Sequence, residues 1–331
     1  MQRSTVRLIL LVLVPFLLLA SCASNEVVVE KIPEMYWPLP PEKPRIKFVD
    51  IIIGSLDARM KKGKLKDLVL GQEADTLFVK PFGVAAAGNR LYVTEVGGVY
   101  YYDFEKMKFK VIGVDKLRVP TAIAASHDFV VVGDIASKKL FKFDRDGQFI
   151  SEFGGKEVDT PAGLAIDGKR QRIIYSDAKK NEVTVFRYDG SVLFSFGRTG
   201  TREGEFHIPY GVAVDPQGRI YVVDSANFRL QIFDENGKYL KSIGKVGMSA
   251  GQFARPKGVA LDSEGHIYVL DAAFGNFQIF DFDGNTLLAV GNNGIGPAEF
   301  QLPSSIAINE KDEIYVVDQI NRRVQIFQYL K

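Results

Sequence analysis

Cysteine, histidine and net charge are all scarce in this sequence, and each scarcity removes a class of function. Cys22 is the only cysteine among 331 residues, so no intrachain disulfide or thiolate cluster can form. The three histidines are His127, His207 and His266, and a His₃ zinc site would need all of them on one side. Basic and acidic residues number 42 and 40. Arg3 and Arg7 lie in a leader expected to be removed, which leaves 40 of each. The whole chain therefore offers no surplus for a polyanion, and nucleic acid is not an expected partner. Long apolar runs are lacking too. The longest, Leu8–Leu19, is broken by Pro15 and is short of the ~20 residues that span a bilayer. No stretch with helical periodicity follows it.

What precedes and follows that run has a clear order. A basic start containing Arg3 and Arg7 leads into the apolar segment, as in an export signal. The next residues, Leu19-Ala20-Ser21-Cys22, resemble the bacterial lipobox, which implies cleavage before a lipid-bearing cysteine. Residues 1–21 are then a signal peptide, and Cys22 is the lipid attachment site and the membrane contact. More than one acyl chain would make that attachment stable. Ala23, not Asp, follows the cysteine, which points to the outer membrane if the organism has two membranes. Residues 22–44 hold five prolines around Tyr36 and Trp37 and read as an extended tether. Packing of Tyr36 and Trp37 onto the folded part is the favoured alternative to a docking role for them.

Abundance lies elsewhere. Phe (24), Tyr (13), Gly (31) and Pro (14) suit short strands joined by tight turns. A unit recurs from Pro81, Pro120, Pro161, Pro209, Pro256 and Pro303, at spacings of 39, 41, 48, 47 and 47 residues. Its clearest copy runs Pro209-Tyr-Gly-Val-Ala-Val-Asp215, Gly218-Arg-Ile-Tyr-Val-Val-Asp224, Arg229-Leu-Gln-Ile-Phe-Asp234 and Gly237-Lys-Tyr-Leu-Lys-Ser-Ile-Gly244. Each copy is one four-stranded blade, so the chain is all-β, a six-bladed β-propeller over residues 45–331. The last copy stops after three strands. Arg45–Gly54 has the look of the missing fourth, and pairing it there would close the ring and cover an open edge.

These motifs, with Gly251-Gln252-Phe253 and its relatives at Gly204-Glu205-Phe206 and Glu299-Phe300, resemble the NHL repeat. The resemblance spans residues 81–331 and is weaker in the first two blades, where Glu95 stands for the strand-end Asp. It implies a propeller that serves as a binding module or, in some members, an enzyme; fold alone does not choose between them.

The acids ending each second strand, Glu95, Asp134, Asp177, Asp224, Asp271 and Asp318, read as acceptors for backbone N–H groups of nearby loops. His127 and His266 fall in turns on the other face from His207, so no His₃ site assembles. No metal or other cofactor is expected. The residues after each blade-starting proline, Phe82, Thr121, Ala162, Tyr210, Lys257 and Ser304, should ring the channel mouth. Among them Tyr210, Lys257 and Ser304, with His207 nearby, form a candidate ligand site. Loops between second and third strands supply a candidate partner face of Lys138, Lys180, Arg229, Arg322 and Arg323.

The sequence therefore reads as an exported, lipid-anchored propeller that binds a protein or an envelope polymer. The alternative is a metal-dependent hydrolase or lyase of the six-bladed lactonase type, working through the channel. An enzyme is the less favoured reading, because no catalytic constellation stands out.

Overall fold

The computed structural model describes residues 34–39, 41–55 and 76–331. The signal segment and Cys22 lie outside these residues.

The second strands explain why this sequence makes stacked sheets. Ile220–Asp224 is buried along its whole length, as is Phe129–Asp134. Such strands do not alternate apolar with polar, because both of their faces lie against protein. Each copy of the repeat is one antiparallel sheet with its strands in chain order. Blade four, for example, comprises Pro209–Val214, Ile220–Asp224, Arg229–Phe233 and Tyr239–Ile243. The first strands of the six blades are innermost and surround a central cavity. The fourth strands are outermost and largely exposed, as in Phe149–Phe153.

The core is a ring of six apolar layers, each formed where two consecutive blades meet. One layer joins blade six to blade one, through Tyr315, Val317 and Val324 against Val84, Leu91 and Val93. The ring is therefore continuous. Close stacking of the innermost strands requires glycine in the Pro-x-Gly motif. A Cβ on Gly211 would lie 2.6 Å from the Lys257 carbonyl oxygen of the next blade.

Closure follows the expected route. Ile46–Ile52 pairs antiparallel with Arg323–Tyr329, in a register running from Ile46 opposite Tyr329 to Ile52 opposite Val324. Phe48 is buried and meets Phe327 edge-on at 5.2 Å between ring centres. The fold begins earlier than Arg45, however. Tyr36–Trp37 adds a short fifth strand outside Ile46–Ile52, and the Trp37 ring packs edge-on to Phe327 at 6.1 Å. The part of the proposed tether around these aromatics thus belongs to the last blade.

Candidate functional site

An antiparallel meander fixes which loops share a face. The loops leading into each blade and the loops between second and third strands lie at one end of the ring. The remaining hairpins lie at the other.

On the first of these faces the strand-end acids organise the backbone. Asp271 accepts hydrogen bonds from the N–H groups of Ala254, Arg255, Ala273 and Phe274 at 2.8–3.1 Å. Asp134, Asp177 and Glu95 accept from their own lead-in loops in the same way. A buried carboxylate satisfied by several donors is stable where a bare one would not be. Each of these acids is consumed by its own blade, as the sequence reading expects.

A second device appears only in blades four to six. Gln231, Gln278 and Gln325, mid-strand in the third strands, each hold the lead-in loop of their own blade by both amide atoms. Gln278 accepts from Gly251 N–H at 2.8 Å and donates to the Gln252 carbonyl at 2.9 Å. Gln325 and Gln231 make the matching pairs. This clamp sets Phe206, Phe253 and Phe300 into the core, all fully buried.

Two of the candidate face residues are placed differently from the sequence expectation. The Arg229 guanidinium bonds Asp224 at 2.9 Å and the carbonyls of Arg202 and Glu205. Arg323 repeats this with Asp318, Gly296 and Glu299. Both arginines tie the third strand to the lead-in loop and face inward, because loop carbonyls near the strand-end acid draw the planar guanidinium under the loop. Lys138 is half-exposed and ion-paired with Asp159 at 3.0 Å, while Lys180 donates to the Lys156 carbonyl at 2.6 Å. The Asp159 carboxyl is held below its ordinary range by hydrogen bonds from Lys138 and Lys179. Arg322 is exposed, on a residue with φ of +53°.

The six residues after the blade-starting prolines do line one central cavity, of about 230 Å³. Thr121 donates to the Pro161 carbonyl at 2.7 Å, and Ser304 donates to the Phe82 carbonyl at 2.6 Å. Both hydroxyls therefore bridge neighbouring blades. Lys257 places its ammonium 5.1 Å from the centre of the Tyr210 ring. Burial lowers the Lys257 amine to about 8, with Arg255 adding to the effect, and burial raises the Tyr210 phenol. The fourth candidate, His207, is exposed, is not part of the cavity lining, and contributes its backbone N–H to Asp224. The other two histidines stand on the opposite face, His127 beside Glu310 and His266 beside Asp262. Among the described residues no group of three or more His, Cys, Asp or Glu is arranged to hold a metal.

One feature of this face escaped the sequence reading. Many of the exposed large apolar side chains sit in its loops: Leu77, Val79, Val96, Val114, Ile208, Val246, Met248, Ile295 and Ile320. Met248 is 90% exposed and Ile295 72%. Between them stand Arg198, Arg202, Lys245, Arg255 and Arg322. Asp115, Glu157, Asp159 and Glu203 stand among these cations, but the opposite face is richer in acids, with the turn residues Asp128, Asp146, Asp189, Asp234 and Asp283. The available signal was an apolar residue in a glycine-bounded loop with no strand partner to bury it.

Comparison with known proteins agrees with this architecture. A family described as a 6-bladed beta-propeller, DUF5128, matches residues 212–277 and 262–329. Protein brain tumor of Drosophila melanogaster is 30% identical over 131 residues, 36% of this chain and 12% of that protein. RING finger protein nhl-1 of Caenorhabditis elegans is 36% identical over 113 residues, 32% of this chain and 11% of that protein. The chain thus spans about a tenth of the length of either relative. An auxiliary nutrient binding protein from Bacteroides thetaiotaomicron superposes with a TM-score of 0.61 at 13% identity, over 77% of this chain and 70% of that one. The protein is a six-bladed β-propeller distantly related to NHL-repeat proteins.

Proposed function

We propose that this chain is a lipid-anchored, extracytoplasmic propeller that binds an acidic protein or envelope polymer through the face of lead-in and second-to-third-strand loops. One observation carries the reading: exposed apolar side chains are interspersed with cations that outnumber the acids on that face, while acids outnumber cations in the turns of the other. Scattered surface apolar residues are ordinary, but a concentration of them on one face marks a contact surface. The cations select an acidic partner and speed its approach. The proposed anchor rests on the lipobox-like Leu19–Cys22, and Ala23 after it favours the outer membrane if the organism has two membranes. No helix among the described residues is long and apolar enough to cross a membrane.

Two measurements test the two halves. Cys22→Ser should move the protein from the membrane pellet to the soluble fraction with its thermal midpoint unchanged; a variant still in the pellet contradicts the anchor. Lys138→Glu, Lys180→Glu, Arg322→Glu and Met248→Asp in one chain should lose the crosslinked partner that wild type retains. Arg229 and Arg323 are left intact because their loss would loosen the blades. Among the described residues the cavity lining includes neither carboxylate nor imidazole, which favours binding over channel hydrolysis.

A further inference from the structure

We infer that the channel mouth is a carboxylate-binding subsite, with the Lys257 ammonium as its anchor and the Tyr210 ring as its wall. The inference rests on the partner-binding reading of the surrounding face and names the chemistry at its centre. Lys257 is the one charged residue in the cavity lining. Its ammonium leans on the Tyr210 ring, and no carboxylate among the described residues forms an ion pair with it. A half-buried cation without a counter-ion is costly, and an anion entering the cavity removes that cost. The hydroxyls of Thr121 and Ser304 at the same mouth already donate to carbonyls, so the ammonium is the charged donor left for a ligand, with the Tyr210 O–H beside it.

The rest of the lining narrows the choice of anion. Beyond the mouth it is glycine, alanine, valine, leucine and isoleucine, with Ser305. A phosphate calls for several converging donors or a guanidinium fork, and neither is present inside the cavity. One ammonium beside an aromatic ring suits a carboxylate whose short apolar stem faces the aliphatic wall. At about 230 Å³ the cavity admits a short-chain carboxylate, or the side chain of an Asp or Glu projecting from a docked partner.

Competitive acetylation of the full chain at pH 8, read lysine by lysine by mass spectrometry, tests this. Sodium propionate at ten times its Kd should slow Lys257 acetylation about tenfold, while Lys311 on the far face keeps its rate. Protection by propionate points to a free carboxylate ligand. Protection by an oligoglutamate peptide but not by propionate supports the subsite and assigns the carboxylate to a partner chain. No protection by either, or equal protection by chloride at matched ionic strength, overturns the proposal. Lys257→Met should abolish propionate binding by calorimetry and Lys257→Arg should retain it. If neither propionate nor the peptide protects wild type while loss of the partner still follows the rim substitutions, the subsite falls and the face reading stands.

Discussion

Asp271 gives up water on folding and receives four backbone N–H groups from two separate loops. Hydrogen bonds to a charged acceptor are stronger than neutral ones, and removing the acceptor leaves the donors unpaired in a buried site. Asp271→Ala should therefore cost about 3 kcal/mol or more in urea unfolding; a loss below about 1 kcal/mol would contradict the bridging role. Lys257 makes the opposite case. Its folded value of about 8 lies below the ordinary 10.5, so between these pH values the unfolded chain holds more protons and stability rises with pH. The charged amine is thus a liability at neutral pH. Lys257→Met should raise the thermal midpoint at pH 7, with the advantage fading as pH rises through 8 towards 10.5. A gain of equal size at both ends of that window would mean that burial of the charge is not the cause. Sequence placed Lys257 at the mouth through the proline register. It could not show that Thr121 and Ser304 bond across blades, because those contacts span 40 and 222 residues.

At the scale of elements, the second strands and the closing strand were legible and the loops were not. A continuous apolar run such as Ile-Tyr-Val-Val fits a strand covered on both faces, and its recurrence at regular spacing counts the blades. The missing fourth strand of blade six was equally legible, because a sheet edge needs cover and Arg45–Gly54 matches the pattern. The Phe48 ring wedges that strand against Phe327. Phe48→Ala should lower stability by about 3–5 kcal/mol and expose the Ile46–Ile52 amides to hydrogen exchange ahead of those in blade four. Uniform protection of all blades in the variant would show that closure does not depend on this contact. Arg229 and Arg323 were misplaced for a plain reason. An arginine opening a strand reads alike whether it points to solvent or folds beneath a loop, and its carbonyl partners lie 24 and 27 residues away in sequence.

At the scale of the whole molecule, the two ends of the ring differ in chemistry although the repeat that builds them is the same. The acids at second-strand ends are withdrawn into the blades, so the lead-in face presents apolar tips and more cations than acids. The hairpins at the other end need Asp and Asn to form their turns, which gives that face its acids as a by-product of folding. The variable loops, not the repeated positions, therefore carry the difference. The most direct test crosslinks the full chain in membranes of the cells that express it and compares capture of the proposed partner by three proteins. Wild type and a Glu105→Lys, Asp283→Lys variant of the far face should recover the same partner in equal amount. The Lys138→Glu, Lys180→Glu, Arg322→Glu, Met248→Asp variant should recover none while keeping its thermal midpoint. Equal recovery by all three, or loss confined to the far-face variant, would contradict the assignment of the binding face.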